Sequence, residues 1–295
     1  MDLHAPQTFN EAKLLGVFVN GSPEWHHARQ EGIGGSEIGT VLGLNPWESA
    51  YALWAKRSGL IPQTFTSNFA MRLGQVLEEP ILQLWQEQNP EYQVYITGTY
   101  QSADVSYLHA NPDALARHVE TGEWIVLEVK TSRNYWDQIP PQYEAQVQHY
   151  LDVLDLKRGK IVALVGMDWV EADVERDEFQ IREQRKAAEM FWESLQSGEK
   201  PDWDGSESTY NAVRQENMEI TDEAVEIEGG HLLVLAQDAY DEAKAELMKA
   251  KSAVLAQMGS AKSAYLEHEG ERYKIAQRQA RGSGAPFLVI SKRTK

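Results

Sequence analysis

The chain has 295 residues, no cysteine and a formal net charge of -17. The absence of cysteine excludes disulfides, zinc–thiolate sites and iron–sulfur clusters, and no apolar run approaches the roughly 20 residues that span a bilayer. The first twenty residues lack the basic start and apolar block of a secretory signal. We therefore expect a cytoplasmic protein with a core domain of about 200 residues and an appendage.

The acidic residues are concentrated in one part of the chain. Residues 171–246 hold 22 Asp and Glu against 7 Lys and Arg, which leaves 23 acids against 21 bases elsewhere. Negative charge opposes binding to phosphates, but the remainder of the chain is almost neutral. A local basic groove is therefore compatible with the composition, and we expect the acidic block to be a solvated or partner-facing surface.

Helical and strand-like patterns alternate from Pro23 to about Asp202, which predicts an α/β or α+β domain. In chain order, helices are predicted at Ser36–Leu42, Ser49–Arg57, Phe69–Gln88, Pro141–Asp155 and Arg182–Gln196. Strands are predicted at Gln93–Gln101, Trp124–Thr131, Lys160–Trp169 and Asp173–Ile181.

A domain boundary is predicted near Gly198–Gly205, where Pro201 lies among acidic residues. We therefore divide the chain into residues 1–202, the candidate catalytic domain, and residues 203–295, a C-terminal extension. In the extension we predict a long helix at His231–Met258, ended by Gly259, and short strands at Arg272–Ala276 and Phe287–Ile290. These patterns assign no chemistry to the extension.

The segment from His109 to Thr131 carries the most informative polar residues. Asp113, which follows a proline, is succeeded fifteen residues later by Glu128-Val129-Lys130. Residues two apart in a strand face the same side, so Glu128 and Lys130 project together. If Asp113 ends the partner strand of a hairpin, the two carboxylates and the Val129 carbonyl can share a hard divalent ion such as Mg²⁺. Lys130 would then orient or help deprotonate an attacking water.

A structural interpretation of the same residues remains open. Glu128 and Lys130 would form an exposed cross-strand ion pair, and Asp113 would merely follow a turn proline. A Pro-Asp with a downstream Glu-x-Lys occurs in many unrelated sequences. Further motifs are needed to choose between the two interpretations.

A second polar motif runs from Trp25 to Glu37. Arg29 offers a planar fork for phosphate oxygens, and Gly34-Gly35-Ser36 opens a helix whose free N–H groups attract anions. A dinucleotide-binding glycine loop is the competing interpretation, but no strand is predicted before it and the third glycine is misplaced. A glycine-rich turn capped by Ser36 is compatible with either interpretation.

Together these motifs resemble one branch of the restriction-endonuclease-like nucleases. The carboxylate–lysine pattern is similar to the signature of that group. The segment from Trp25 to Glu37 resembles the Trp-x-x-x-Arg-x-x-Gly-Ile-x-x-Ser-Glu motif of the phage lambda exonuclease and YqaJ families. The resemblance implies a mixed central β-sheet flanked by helices, with a helical extension at the C-terminus. It also implies that Arg29 and Ser36 hold a terminal DNA phosphate.

Two predicted helices add to the resemblance. The Gly-x-x-x-Glu pattern that ends at Glu78 resembles a family helix, which implies that Glu78 supports the metal or its water. A later helix is similar to the family's Gln-x-x-x-Tyr helix, and Tyr143, Gln146 and Tyr150 share one face of it at spacings of three and four. Without the resemblance, Glu78 is an ordinary solvated residue, and the two tyrosines are half-buried packing residues.

The sequence departs from the family pattern in two places. Asp113 is followed by Ala114 where many relatives carry glycine, and the interval from Asp113 to Glu128 is longer than in lambda exonuclease. The tip of the predicted hairpin is therefore undetermined, whereas the ligand types are unchanged. The subgroup that binds an iron–sulfur cluster is disfavoured because its cysteines are absent.

The resemblance implies a Mg²⁺-dependent exonuclease, with Mn²⁺ able to substitute, that digests linear double-stranded DNA from its ends, 5′ to 3′. The 3′ single-stranded tails would serve phage-type recombination with a single-strand annealing protein, in the cytoplasm of a bacterial host. Relatives of the lambda type form closed rings, so we expect a homo-oligomer, with a trimer favoured. Two alternatives stay open: a site- or structure-specific endonuclease on the same core, and a catalytically silent DNA-binding or scaffold protein.

Overall fold

A computed structural model describes residues 4–19, 21–63 and 68–291, which belong to two compact units, Met1–Ile220 and Thr221–Lys295. The strands of the first unit are β1 (Thr8–Phe9), β2 (Ala12–Gly16), β3 (Ile33–Gly34), β4 (Tyr92–Tyr95), β5 (Thr99–Gln101), β6 (Leu108–Ala110), β7 (Ala114–His118), β8 (Trp124–Ser132), β9 (Arg158–Val165) and β10 (Asp168–Glu175). Its helices are α1 (Pro23–Gln30), α2 (Gly35–Val41), α3 (Ala50–Arg57), α4 (Phe69–Gln88), α5 (Pro141–Val153), α6 (Glu178–Ser197) and α7 (Glu207–Glu216).

The main sheet has the strand order β10-β9-β8-β7-β4. Its central strand, β8, pairs antiparallel with β7 and parallel with β9, so the sheet is mixed, as predicted. Residues 125–129 of β8 are buried without interruption. A strand is buried in this way when helices cover both faces of its sheet, and here α4 and α5 both pack against β8.

The two faces of β8 belong to different parts of the core. Val126 packs in the cluster that contains Val147 of α5, whereas Leu127 packs in the cluster that contains Trp85 of α4. Because side chains alternate along a strand, the even-numbered residues face α5 and the odd-numbered residues face α4. Glu128 therefore points to the α5 side of the sheet.

A second sheet, in the order β1-β2-β5-β6-β3, lies in the same unit. Its short strand β3 pairs parallel with β6, with Gly34 opposite His109. This pairing places the start of α2 beside the strand that leads into Asp113. The two polar motifs of the sequence, more than seventy residues apart, therefore meet in the fold.

The prediction of one strand over Gln93–Gln101 was wrong. The chain forms β4 and β5 instead, and these strands belong to different sheets. Gly98 lies at the change of direction, where a Cβ atom would come within 2.3 Å of the Gly16 carbonyl oxygen. The glycine thus allows two backbone segments to cross closely, which the alternating pattern of side chains does not reveal.

The two strands predicted at Lys160–Trp169 and Asp173–Ile181 differ in their bounds from the observed strands β9 and β10. The chain turns at Gly166, whose φ of 66° is left-handed, so β9 ends at Val165 and β10 begins at Asp168. Beyond Glu175 the chain is not a strand, because the Asp177 side chain accepts the N–H groups of Phe179 and Gln180 and starts α6. The Asp177 cap therefore starts a helix in a segment whose side-chain pattern predicts a strand.

Several elements were not predicted. In the first unit they are β1, β2, β3, α1, β6, β7 and α7, none of which is longer than ten residues. The prediction that Asp113 ends the partner strand was wrong, because Asp113 immediately precedes β7. Since β7 runs antiparallel to β8 and Ala114 pairs with Leu127, Asp113 still lies next to Glu128 in the middle of β8. The helix predicted at Phe69–Gln88 is confirmed with the same bounds. None of the helices in the described ranges is long and apolar enough to cross a membrane.

The second unit contains α8 (His231–Met258), β11 (Ser263–His268), β12 (Glu271–Gln279) and β13 (Phe287–Ile290). The three strands form one antiparallel sheet with β12 in the middle. The helix α7 belongs to the first unit, where the Ser49 N–H donates to Ser208 Oγ at 3.0 Å. The division between residues 1–202 and 203–295 stays a prediction of where a catalytic domain ends.

Candidate active site

Glu128, in the middle of β8, and Lys130, two residues further on, lie together on the side of the sheet that faces α5. The Lys130 ammonium group donates to Glu128 Oε1 in a close ion pair, and Gln146 Nε2 of α5 donates to the same oxygen at 2.6 Å. Glu128 is only 1% exposed. The sequence prediction that these side chains project together agrees with this geometry, but Glu128 is buried and Lys130 is partly buried, so the pair is not an exposed one.

The Glu128 carboxylate lies in surroundings that disfavour its negative charge. Burial is the main cause that raises the pKa of Glu128, and the charge of Asp113 raises it further, to about 8, although Lys130 opposes the shift. Within the described part of the chain, its Oε2 atom is buried and accepts no hydrogen bond. A buried carboxylate oxygen without a partner is costly, so this atom is suited to an additional ligand.

Asp113 is held against β8 by the backbone. Its Oδ2 accepts the Val129 N–H at 2.6 Å, and the register that pairs Ala114 with Leu127 brings it next to Glu128. Burial raises the pKa of Asp113, whereas Lys130 and the Val129 hydrogen bond act to lower it. The carboxylates of Asp113 and Glu128 thus share one partly buried cation, the Lys130 ammonium group.

Glu78 approaches the same charges from α4, on the other face of the sheet. Burial raises the pKa of Glu78, and together with the repulsion of Asp113 brings it to about 7, while Lys130 acts to lower it. Three acidic side chains therefore influence one another around the middle of β8. The ammonium group of Lys130 compensates only part of this negative charge.

Lys130 remains a cation in this environment. Burial acts to lower the pKa of Lys130, but the charges of Glu128 and Asp113 outweigh it, so the pKa is raised from its ordinary value. The Nζ atom also lies 5.0 Å from the centroid of the Tyr143 ring, a cation–π distance. Lys130 is therefore held between two carboxylates and an aromatic ring.

Helix α5 supplies the side chains that hold Glu128 in position. Gln146 Nε2 donates to Tyr150 Oη at 2.8 Å as well as to Glu128, and Tyr150 Oη donates to the Asn111 carbonyl at 3.1 Å. These side chains can act together because Gln146 and Tyr150 are four residues apart and share one helix face. Tyr150 is buried, so its packing role and its hydrogen bonds in the site coexist.

Arg29 and Ser36 are brought together between α1 and α2. Arg29 Nη1 donates to Ser36 Oγ, and Nη2 donates to Glu37 Oε1, each at 3.2 Å. The Arg29 guanidinium carbon also lies 4.7 Å from the centroid of the Trp25 ring. The sequence motif therefore corresponds to a partly exposed arginine beside an exposed hydroxyl at the first turn of a helix.

One cavity of about 210 Å³ joins both motifs. Its lining residues are Trp25, Ala28, Arg29, Gly32, Gly34, Gly35, Ser36, Thr99, His109, Asn111, Asp113, Glu128, Lys130, Gln146 and Tyr150. Seven of the ten predicted site residues thus line one space. The other three, Glu78, Val129 and Tyr143, are not part of the lining. Glu78 approaches the charged cluster from α4, the Val129 N–H donates to Asp113, and the Tyr143 ring lies against Lys130.

Residues 24–157, which carry all of these side chains, match the family model of the YqaJ-like viral recombinase domain. This segment is similar to the YqaJ-like viral recombinase domain. The resemblance predicted from the sequence motifs is thereby confirmed.

The chain is also 29% identical over 206 residues to the uncharacterized protein YqaJ of Bacillus subtilis (strain 168). The match covers 66% of this chain and 63% of that protein, so the chain spans less than two thirds of its relative's length. A crystal structure of an alkaline exonuclease from Laribacter hongkongensis has a TM-score of 0.50 and 19% identity, covering 60% of this chain and 94% of the other. Its complex with dAMP matches with a TM-score of 0.51. These likenesses support the predicted fold.

The site offers oxygen ligands to a hard divalent ion. Among the described residues, no three His, Asp or Glu side chains lie close enough together to hold an ion by themselves. Mg²⁺, however, keeps several waters and is usually bound by one or two carboxylates. The unpartnered Oε2 of Glu128, the adjacent Asp113 and the Val129 carbonyl fit this need, and the positive charge would relieve the raised pKa of Glu128.

Sequence reasoning missed Arg57 as part of this site. Arg57 Nη1 donates to Glu37 Oε2 at 3.1 Å, and its guanidinium also donates to the carbonyls of Gly32 and Gln30, each at 2.9 Å. Glu37 therefore lies between two arginines and holds Arg29 in place. Arg57 lies on α3, and no local spacing connects it to the N-terminal motif, so no sequence signal could have identified it.

Proposed function

We propose that this chain is a Mg²⁺-dependent exonuclease, with Mn²⁺ able to substitute. It would digest linear double-stranded DNA 5′ to 3′ and leave 3′ single-stranded tails for phage-type recombination. The observation that carries the proposal is the single cavity lined by both the Asp113–Glu128–Lys130 cluster and the Arg29–Ser36 pair. The name of the structural relative, an alkaline exonuclease, is consistent with it.

In this proposal Asp113, Glu128 and the Val129 carbonyl hold the metal, and Glu78 supports it or its water. The bound ion would supply positive charge that stabilises the pentacovalent phosphate and the departing 3′ oxygen. Removing either carboxylate would therefore remove both a ligand and the attraction that concentrates the ion in the cavity.

Lys130 and α5 prepare the cavity for the attacking water. Lys130 lies beside Glu128, where its ammonium group can donate to the water and offset charge on the scissile phosphate. Gln146 keeps Glu128 Oε1 in place, and Tyr150 anchors Gln146 to the backbone at Asn111. Tyr143, whose ring lies against Lys130, contacts the substrate beside it in this proposal.

Arg29 and Ser36 determine the polarity of digestion. An arginine fork and a hydroxyl at a helix start suit the oxygens of a terminal phosphate. If they bind the 5′ phosphate of one strand while the carboxylates face the next phosphodiester, each cut releases nucleotide from the 5′ end. A duplex end is then the substrate, and the opposite strand remains as a 3′ tail.

The proposed function is tested by nucleotide release from linear and closed circular duplexes of the same sequence. We expect Mg²⁺-dependent release from the linear form, faster from a 5′ label than from a 3′ label, and an intact circle. Cutting of the closed circle would instead favour the structure-specific endonuclease. No hydrolysis of either form with Mg²⁺ or Mn²⁺ would favour a silent DNA-binding or scaffold protein.

Arg29→Ala should lose the preference for 5′-phosphorylated over 5′-hydroxyl ends. The guanidinium is the charged group beside Ser36 in the cavity, and a charge-assisted contact of this kind contributes strongly to phosphate binding. The measurement is the ratio of initial rates on duplexes that differ only in the 5′ group. Arg182→Ala, at an exposed position of α6, is the control and should keep the wild-type ratio; an unchanged ratio in Arg29→Ala would show that the clamp is misassigned.

A closed ring is the assembly that suits an acidic chain acting on DNA. Few phosphate contacts give weak, salt-sensitive binding, whereas a ring that encircles the duplex retains it. We therefore propose a homotrimer with the acidic residues of 171–246 directed away from the DNA, and a single-strand annealing protein as the acceptor of the 3′ tail. Light scattering should give about three times the chain mass of 33.4 kDa; a mass of one chain, unchanged with linear duplex, would exclude the ring.

A further inference from the structure

The charge of the C-terminal segment contrasts with that of the rest of the chain. Residues 272–295 contain seven Lys and Arg and no Asp or Glu, whereas the other residues contain 45 acids and 21 bases. Association with a polyanion depends on Lys and Arg that acids do not neutralise. In a chain whose net charge is -17, this segment is where such residues are concentrated.

Part of this charge is displayed on one face of the three-stranded sheet. Tyr265 of β11 pairs with Lys274 of β12, and Arg272 lies two residues before Lys274, so the three side chains share a face. The Arg272 guanidinium carbon lies 4.2 Å from the centroid of the Tyr265 ring. The tyrosine is 47% exposed, so a cation and an aromatic surface are available together.

A second pair of the same kind lies at the other end of β12. Arg281, in the loop after this strand, lies 5.7 Å from the centroid of the Phe287 ring, measured from its guanidinium carbon. Phe287 is 39% exposed. The eight residues from Arg272 to Gln279, the last residue of β12, are separated by seven steps of roughly 3.3 Å and so span about 23 Å, which is the reach of several nucleotides.

These cations are not neutralised by acids of the described chain. No ion pair involves Arg272, Lys274 or Arg281 within residues 4–19, 21–63 and 68–291, and Lys274 donates to the neutral Gln277. One acid, Glu267, lies opposite Arg272 in the register. Arg278 is engaged otherwise, because its guanidinium donates to the Gly259 carbonyl. The sheet thus retains free positive charge next to exposed rings.

We propose that the three-stranded sheet of the second unit binds single-stranded DNA, through Arg272, Lys274 and Arg281 and by stacking of bases on Tyr265 and Phe287. Proteins bind single strands without sequence preference by this combination of cations and aromatic platforms. A duplex presents phosphates but keeps its bases stacked, so exposed rings favour a single strand. The choice of DNA rests on the proposed function, whose product is a 3′ single-stranded tail.

The test is fluorescence anisotropy of a labelled oligothymidylate with the full chain, in EDTA and over a series of salt concentrations. The triple variant Arg272→Gln, Lys274→Gln, Arg281→Gln should bind about tenfold more weakly or worse near physiological salt, and its salt slope should flatten by about 2, since each lost contact removes about 0.7. The matched control is Lys244→Gln, Lys249→Gln, Lys251→Gln on α8 of the same unit, with the same change of charge. The control should bind as the wild type does.

The stacking part of the proposal has its own variants. Tyr265→Leu and Phe287→Leu keep apolar side chains on the sheet, and each should weaken binding of the single strand by about fivefold or more, with a smaller effect on a duplex of equal length. Circular dichroism checks that every variant is folded. The conservative double variant Arg272→Lys, Arg281→Lys keeps both positive charges, so it should keep most of the salt slope of the wild type.

Equal affinity of the charge variant and its α8 control would overturn the proposal. The proposal would also be overturned if the chain bound duplex more tightly than single strand and the leucine variants had no effect. That result would indicate that the sheet contacts duplex DNA instead. Because these measurements are made in EDTA, they are independent of hydrolysis. A chain that binds oligothymidylate through this sheet but never hydrolyses DNA would refute the proposed function alone.

Discussion

Lys130→Ala, Asp113→Ala and Glu128→Ala should each lower DNA hydrolysis by about a hundredfold or more, which is the usual scale for removing metal or proton-transfer assistance. In the structure the three side chains form one cluster, in which Glu128 is buried and the other two are partly buried: Lys130 pairs with Glu128 Oε1, and Asp113 accepts the Val129 N–H. Loss of the lysine leaves two carboxylates without their cation. Loss of either carboxylate removes an oxygen ligand of the proposed metal site.

Initial rates under Mg²⁺ saturation measure the effect, and thermal unfolding checks that each variant is folded. Glu128→Gln is the most informative substitution, because its amide oxygen can still accept from Lys130 and Gln146 while the ligand charge is removed. Lys160→Ala is the matched control: this lysine of the neighbouring strand β9 pairs with Glu171 at 3.1 Å and Asp173 at 2.8 Å and is not part of the cavity lining. Full activity of Lys130→Ala would show that the assigned site is wrong.

Gly35→Ala should destabilise the first unit by about 2 kcal/mol or more, the range expected for overpacking a rigid core. A Cβ atom on Gly35 would lie 2.3 Å from Cε1 of Tyr150 and 2.8 Å from its Cζ. Tyr150 is only 2% exposed, and its hydroxyl group is bonded to Gln146 and Asn111. The ring can move away only by breaking these hydrogen bonds, so the alanine should also disturb the Gln146–Glu128 contact.

Denaturant unfolding of Gly35→Ala and of its neighbour Gly34→Ala gives a matched comparison. A Cβ atom on Gly34 meets nothing within 4 Å, so that variant should cost less than about 1 kcal/mol, the usual scale for changing a helix N-cap residue. The clash also predicts coupling: in a Tyr150→Leu background, Gly35→Ala should cost much less than in the wild type. Equal costs in the two backgrounds would contradict the clash.

The sequence alone determined the features that depend on local periodicity and residue chemistry. The helix Phe69–Gln88 follows from its apolar spacing between an Asn cap and polar residues, and its bounds agree with the structure. Glu128 and Lys130 share a face because strand side chains alternate, and Gln146 and Tyr150 share one because helix positions four apart are neighbours. The sequence therefore predicts the types of metal ligand, which are carboxylate and carbonyl oxygens, and the lysine near them.

The tertiary structure decided which of these residues meet. The β7–β8 register brings Asp113 to Glu128, the parallel pairing of β3 with β6 brings Arg29 and Ser36 to the same cavity, and packing of α4 brings Glu78 near their charges. Arg57 reaches Glu37 from α3, without any local pattern to indicate it. Such contacts join segments distant in the chain, and they depend on core packing and on single glycines such as Gly35, whose requirement appears only when Tyr150 lies against it.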